Sequence, residues 1–275
     1  MNRLSQLKQE MLIAALVEGN SVSGSARLAQ VTKVTALRNL VWIGTACQKF
    51  HDKTVRDLKS TAVEADEMWN FIHAKGKNLP QALKGSRDHG DMWTWIGMCS
   101  ISKLVIAWHV GKHDSSDAEI FAEDFASRIP GRVQISTDQL QRYRPAIENA
   151  FGTRADYATL SKKLGKTPET ADGKYEQPKL KAERIASVYG NPNLDAVSTH
   201  SIERQNLTVR MSVRRYARAT NAFARKIDNT RAALALHFVY YNFARIHSAH
   251  RVTPAMEAGI SDHVWDIDEI ARLVE

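Results

Sequence analysis

The stretch AVEADEMWNFI, residues 62–72, has the apolar character of a strand in a sheet, and Asp66 lies near its middle. An unpaired carboxylate inside an apolar strand is costly, so Asp66 is a candidate ligand for a cation. The acidic neighbours Glu64 and Glu67 leave a second interpretation open, in which this part of the strand faces solvent. The stretch predicts a sheet whose other strands come from residues further along the chain.

The next residues predict two strands, a helix and a fourth strand. The segments 92–99 (MWTWIGMC) and 104–110 (LVIAWHV) are rich in β-favouring residues, and the short turn between them predicts a hairpin. Residues 117–128 have the spacing of an amphipathic helix. The segment 132–137 (RVQIST) alternates like a strand and is followed by Asp138, at the end where open sheets place ligand residues. A helix cap is the alternative role for Asp138. This order predicts an α/β protein with an RNase H-like core.

Residues 1–58 have a helical pattern that predicts a helix-turn-helix DNA-binding region. Ser21 and Thr32 can cap the second and third helices, and the short turn between those helices fits the motif. Lys33 and Arg38 at the start of the third helix are the candidate DNA contacts. A helical hairpin used for dimerisation is the alternative.

The remaining boundaries follow from glycine and proline. Residues 152–198 contain several of both and many lysines, which predicts an insertion or mobile lobe. Residues 193–253 contain neither glycine nor proline, which permits long helices and a helical C-terminal part. We therefore expect the RNase H-like domain over 59–265 and a C-terminal tail over 266–275.

The charge balance favours a polyanionic partner. The chain of 275 residues has 38 Lys and Arg against 30 Asp and Glu, a net charge of +8. Nucleic acid is the first expectation and an anionic membrane surface the second. Two cysteines are too few for a disulfide framework or a four-ligand zinc site. No apolar run reaches the ~18 residues that span a bilayer, and no signal peptide is recognisable, so we expect a cytoplasmic protein.

A basic run follows Glu203. Residues 204–231 hold eight basic residues and one acidic residue. If one helix is continuous through this run, Glu203 and several arginines share a face, which favours a phosphate-binding surface beside a carboxylate. His200, one turn earlier, is either an auxiliary contact or a capping or packing residue. The candidate DNA-binding residues in the run are Arg204, Arg210, Arg214, Arg215, Arg218, Arg225 and Lys226.

Four segments resemble the transposases of the insertion-sequence-one family, a bacterial group with an RNase H-like DDE core. They are ADEMWNFIHAK (65–75), STDQLQRY (136–143), HSIERQNLTVRMSVRRYARATNAFARK (200–226) and YYNFARIHSAHRVTPAMEAGISDHVW (240–265). The resemblance implies that Asp66, Asp138 and Glu203 form the family's acidic triad. It also implies two Mg²⁺ ions, with Mn²⁺ as a substitute, held by these three residues.

The implied partners are double-stranded DNA, as terminal inverted repeats and target, and further copies of the chain in a homodimer or larger assembly. The expected activity is endonucleolytic cleavage at the ends of an insertion sequence, followed by strand transfer. The expected location is the bacterial cytoplasm, at the nucleoid. Two alternatives remain at this point: a catalytically inactive, repressor-like DNA-binding protein of the same ancestry, and a nuclease that does not join strands.

Overall fold

A computed structural model describes residues 4–165, 180–218 and 220–274. Nine helices and six strands are formed by these residues, together with several short 3₁₀ turns and one π-helical turn. In chain order the elements are α1 (Gln6–Val17), α2 (Val22–Leu28), α3 (Lys33–Thr54), β1 (Ala62–Ile72), β2 (Gly90–Cys99), β3 (Val105–Gly111), α4 (Ser115–Ser127), β4 (Val133–Thr137), α5 (Tyr143–Phe151), β5 (Ala155–Leu164), β6 (Leu180–Tyr189), α6 (His200–Ser212), α7 (Ile227–Val239), α8 (Pro254–Glu257) and α9 (Ile267–Arg272).

The six strands form one mixed sheet in the order β3-β2-β1-β4-β5-β6. The pairs β1–β2 and β2–β3 are antiparallel, β1–β4 and β4–β5 are parallel, and β6 is an antiparallel edge strand on β5. Three antiparallel strands followed by two parallel ones, in this order, are the arrangement of an RNase H-like core. The predicted fold class is therefore confirmed, and the strands predicted from residues 62–137 match β1 to β4 within two residues at each end.

Side chains alternate between the two faces of the sheet along each strand, and both faces present apolar side chains. Helices cover both faces. On one face, Trp95 packs against Phe121 of α4 and Tyr143 of α5. On the other face, Trp108 packs against His51 of α3 and Phe238 of α7. We call these the α4–α5 face and the α3–α7 face. Both faces bury apolar side chains that belong to a single hydrophobic core.

The N-terminal helices share that core. Ile13 of α1 and Leu40 and Ile43 of α3 belong to the same cluster of buried residues as the sheet. Between α2 and α3, Gln30 has a φ of 52°, the left-handed conformation that a turn glycine usually supplies in a helix-turn-helix. Asn39, at a position that is usually apolar in such motifs, is buried and donates to the Thr35 carbonyl oxygen at 2.9 Å.

Two segments are more ordered than the sequence pattern suggested. The predicted insertion or mobile lobe over 152–198 includes β5 and β6, which are strands of the sheet, while residues 166–179 lie outside the described residues. Within the predicted tail over 266–275, α9 is a capped helix that packs on α1. The α9 helix packs on the first helix of the chain, which is distant in sequence, whereas β5 and β6 pair with β4 and with each other in a region whose glycine, proline and lysine content did not indicate strands.

The helix that contains Glu203 is shorter than one continuous helix through the basic run of residues 204–231 would be. α6 ends at Ser212, and Val213 takes an extended conformation. Burial explains the end, because Val213 and Tyr216 both enter the core and the Tyr216 hydroxyl lies 2.5 Å from Thr94 Oγ1. The chain then crosses the end of β1, where Ala224 bridges to Ile72. The single continuous helix on which the shared face depended is therefore not formed: Arg210 remains on α6 with Glu203, whereas Arg214, Arg218 and Arg225 lie beyond its end.

None of the helices in the part of the chain that the structure describes combines the length and the apolar character needed to cross a membrane.

Candidate active site

Asp66 and Asp138 meet where β4 ends. The last β1–β4 pair in the register is Ala65 with Thr137, so Asp66 and Asp138 are the next residue on each strand. β1 continues past this point without β4 beside it, which opens the edge of the sheet. Oxygen atoms of Asp66, Glu67 and Asp138 all lie within 4.8 Å of one another. We call these three residues the acidic cluster.

Two hydrogen bonds fix the carboxylate of Asp66. The backbone N–H of Glu67 donates to Oδ1 at 2.9 Å, and Asn206 Nδ2 of α6 donates to Oδ2 at 2.7 Å. Burial and the negative charge of Asp138 raise the pKa of Asp66 to about 7, and Glu203 adds a smaller increase. A carboxylate whose pKa is raised by neighbouring carboxylates indicates a place where a cation would be stabilised.

Asp138 is held by the turn that follows β4. Its Oδ1 accepts a hydrogen bond from the Leu140 backbone N–H at 2.9 Å. The preceding residue, Thr137, is fully buried and its hydroxyl lies 2.7 Å from the hydroxyl of Tyr157 on β5. The turn therefore sits on a fixed strand end, which sets the position of the Asp138 carboxylate.

Glu203 approaches the cluster from α6 but lies outside the 4.8 Å group. Its Oε1 accepts from Lys162 Nζ of β5 at 2.6 Å and from Thr199 Oγ1 at 2.7 Å. Glu203 and Asp66 line the same cleft of about 560 Å³, together with Arg210 and Arg218. We call it the acid cleft.

Glu64 anchors the beginning of α6 on the sheet. This side chain is almost fully buried, and its Oε2 accepts a hydrogen bond from the Ile202 backbone N–H at 2.9 Å. A carboxylate at a helix N-terminus satisfies a free N–H and opposes the helix dipole. Because Glu64 and Asp66 are two residues apart on β1, this bond places α6, and with it Glu203, next to Asp66.

Glu67 is the member of the acidic cluster that was not predicted. The sequence interpretation treated it as a sign of a solvent-facing strand, but its side chain is only 11% exposed. Burial, followed by the charges of Asp138 and Asp66, raises the pKa of Glu67 to about 8. Glu67 could have been recognised by its position directly after Asp66, because the pairing of β1 with β4 ends there.

The predicted basic residues are distributed over three clefts and one exposed helix position. Arg210 and Arg218 line the acid cleft. Lys33 meets Arg214, Arg215 and Arg225 in a second cleft of about 600 Å³, which we call the basic cleft. Arg38 and Lys226 line a third cleft of about 910 Å³ on α3. Arg204 is exposed on α6, and His200 is exposed at its first residue and is not part of the acid-cleft lining.

The donor set fits a hard divalent cation. Mg²⁺ and Mn²⁺ prefer carboxylate oxygens, and the acidic cluster offers three of them at mutual distances that one ion can bridge. One of these oxygens, Glu67 Oε2, is buried without a hydrogen-bond partner among the described residues. Asp66, Glu67 and Asp138 would hold such an ion, with Glu203 facing them across the acid cleft.

The class of fold that these features define is RNase H-like with an acidic edge at the end of β1 and β4. No protein-family model matches the sequence, and no curated protein is similar to it in sequence. Among solved structures, the Mos1 strand transfer complex is similar over 57% of this chain and 59% of that chain, at 12% identity and a TM-score of 0.24. The Mos1 transposase paired-end complex with the left transposon end gives 12% identity, 57% and 60% coverage and a TM-score of 0.24.

The chain thus spans about six tenths of the length of the Mos1 chains it matches. TM-scores this far below 0.5 do not establish a shared fold, so the RNase H-like assignment depends on the strand order of the sheet.

Proposed function

We propose that this chain is a DDE-type DNA transposase of the insertion-sequence-one family. The single observation that supports the proposal most is the convergence of Asp66, Asp138 and Glu203, from β1, the end of β4 and the start of α6, at one edge of an RNase H-like sheet. These three residues are far apart in sequence, and the four motif segments that resemble the family place its triad on the same three positions.

The residues of the chain position the reacting groups. Two divalent ions at this site would activate the attacking oxygen and stabilise the leaving oxygen of a DNA phosphodiester. Asn206 and the Glu67 N–H hold the Asp66 carboxylate in one orientation. Glu64 keeps α6 in register with β1. Glu203 must leave Lys162 to reach the cluster, so we propose that DNA entering the acid cleft takes over Lys162 as a phosphate contact.

The basic clefts would bind the DNA backbone. In the basic cleft, Lys33 of α3 faces Arg214, Arg215 and Arg225 of the segment that follows α6. Arg215 Nε is buried and has no hydrogen-bond partner among the described residues, and burial lowers the pKa of Arg215 to about 10. A half-buried guanidinium with one unpaired N–H, next to three further cations, favours an anionic ligand such as a phosphate. We propose that α2 and α3 bind the terminal inverted repeats.

The remaining parts of the proposal concern assembly and location. Joining both ends of a mobile element requires two active sites near each other, so we propose that a homodimer or larger homo-oligomer performs the reaction. The freed 3′-hydroxyl of the element would attack target DNA in line. We propose that this takes place on the nucleoid in the bacterial cytoplasm.

A plasmid carrying the DNA that flanks the gene tests the proposal. With Mg²⁺ or Mn²⁺, the protein should cut at the boundaries of the element and join the freed ends to target DNA. Asp138→Asn should abolish cleavage and retain DNA binding, because the acidic cluster loses a charged ligand while the basic clefts are untouched. The matched control is Glu123→Gln, at an exposed position of α4, which should cleave like the wild type.

The other outcomes identify the alternatives. Cut but unjoined DNA would indicate a nuclease of this fold. DNA that is bound and left intact under all metal conditions would indicate a repressor-like protein. Cleavage by Asp138→Asn at the wild-type rate would remove Asp138 from the site and contradict the proposal.

A further inference from the structure

We propose that Glu67 is a fourth metal-binding carboxylate, which holds a divalent cation together with Asp66 and Asp138 from the side of the sheet opposite Glu203. The inference rests on the proposed function, because it adds a ligand to the same site. It goes beyond the triad, which the resemblance placed on Asp66, Asp138 and Glu203 alone.

The placement of Glu67 follows from the strand register. Glu67 pairs with Trp95, so its side chain lies on the α4–α5 face, whereas Asp66 pairs with Ile96 and contacts Asn206 of α6 on the other face. Adjacent residues on a strand normally point apart. Here their carboxylates approach within 4.8 Å, together with that of Asp138, because β4 has ended and its end leaves space at the edge.

One oxygen of Glu67 faces His113, and the other forms no hydrogen bond of good geometry among the described residues. His113 Nε2 lies 3.3 Å from Glu67 Oε1, and the His113 ring stacks on Trp93 with its centroid 4.7 Å away and the planes 11° apart. Glu67 Oε2 is buried without a hydrogen-bond partner among the described residues. A buried carboxylate oxygen without a partner costs free energy, and a cation between it and the two aspartates would remove that cost.

Tyr143 places a hydroxyl group next to Glu67. This residue of α5 is fully buried, and its hydroxyl interacts with the Glu67 carboxylate but forms no hydrogen bond of good geometry in the described part of the chain. Burial and then the charges of Glu67, Asp66 and Asp138 raise the pKa of Tyr143 well above its usual value. A hard cation normally retains several water molecules, and such a water would give the Tyr143 hydroxyl a hydrogen-bond partner of good geometry.

Binding of Mn²⁺ to the full chain without DNA, followed by electron paramagnetic resonance, tests the proposal. Replacing one oxygen ligand by an amide of equal size should weaken binding, so Glu67→Gln should raise the Kd for Mn²⁺ by about ten-fold or more. Glu123→Gln should bind Mn²⁺ like the wild type. A Kd for Glu67→Gln within two-fold of the wild-type value would overturn the proposal.

Asp138→Asn, measured alongside, separates this inference from the proposed function. Weak binding by both Asp138→Asn and Glu67→Gln supports the proposal. Weak binding by Asp138→Asn alone overturns the role of Glu67 and leaves the triad in place. Wild-type binding by both variants overturns the metal site and with it the proposed function.

Thermal unfolding distinguishes a ligand from a packing residue. In EDTA, Glu67→Gln should unfold at the wild-type temperature or above it, because an amide of equal size replaces a buried carboxyl group that lies beside two others. Added Mn²⁺ should raise its Tm less than it raises that of the wild type. A lower Tm in EDTA together with a full response to Mn²⁺ would overturn the proposal and make Glu67 a structural residue.

Discussion

His237 of α7 is a buried histidine whose protonation state is set by packing. It is 2% exposed, and neither ring nitrogen has a hydrogen-bond partner among the described residues. Burial, with a further contribution from Arg245, lowers the pKa of His237 to about 3. The ring therefore stays neutral in the folded protein from about pH 6.5, where the unfolded chain takes up a proton, down to about pH 3.

His237 should make the protein less stable as the pH falls below about 6.5. Between that value and about 3 the unfolded chain binds the proton and the folded chain does not, so the free energy of unfolding falls by up to ~1.4 kcal/mol per pH unit. His237→Phe should remove this part of the slope. Urea unfolding at pH 7, 6 and 5 measures it, and equal slopes for variant and wild type would contradict the prediction.

At the scale of elements, α3 and α7 are held together by a close approach at Gly44. A Cβ atom at Gly44 would lie 2.4 Å from the backbone oxygen of Ala232, closer than any side chain allows. We therefore expect Gly44→Ala to lower the free energy of unfolding by about 1–3 kcal/mol, because the two helices must separate. Gly131→Ala is the control, since a Cβ there meets no atom within 4 Å. Chemical denaturation of both variants checks the difference, and similar losses in both would contradict it.

The contact of Glu64 with the start of α6 gives a second prediction at this scale. Glu64→Ala leaves the Ile202 N–H buried without an acceptor, which should cost about 1–3 kcal/mol of stability. Hydrogen exchange at residues 202 and 203 should become faster, while exchange in α7 stays unchanged apart from global unfolding. Glu64→Gln keeps an acceptor oxygen and should show the smaller effect. Unchanged exchange at 202 in Glu64→Ala would contradict the proposed anchor.

The sequence predicted elements well where their signals are local. The apolar alternation around Asp66 and before Asp138 was enough to place β1 and β4, because a strand pattern needs only a few residues. The end of α6 at Ser212 could not be predicted in this way. No glycine or proline marks it, and the chain leaves the helix because Tyr216 is drawn into the core near Thr94, 122 residues earlier.

The acidic cluster shows the same limit. Asp66 interrupts an apolar strand pattern and Asp138 follows the end of one, so both could be selected as candidate site residues from the sequence. Glu67 looked like an ordinary solvent-facing charge, and its burial depends on Trp93, His113 and Tyr143, which come from three other parts of the chain. Contacts of that kind appear only when the strands and helices have been assembled.

At the scale of the whole molecule, the basic residues should act together in holding DNA. The affinity of a protein for duplex DNA falls as the salt concentration rises, and the slope of log affinity against log salt concentration is about −0.9 for each phosphate contact. If the basic cleft binds phosphates, each lost contact should make this slope less steep by about 0.9. Arg225→Ala and Lys33→Ala should each show this change with duplexes of unrelated sequence. Lys53→Ala, at an exposed position outside the three clefts, should keep the wild-type slope. A slope unchanged by all three substitutions would argue against this cleft as a DNA contact.

The contact between α1 and α9 can form only after nearly the whole chain has been synthesised. Gln6 donates to Asp268 at 2.6 Å, and Gln9 donates to the Ala271 carbonyl oxygen at 3.1 Å. During translation, the ribosome synthesises α1 more than 250 residues before α9, the helix that packs on it. A polypeptide released early, at residue 265 for example, would leave one side of α1 exposed to cellular proteases, although Asp66, Asp138 and Glu203 would already have been synthesised.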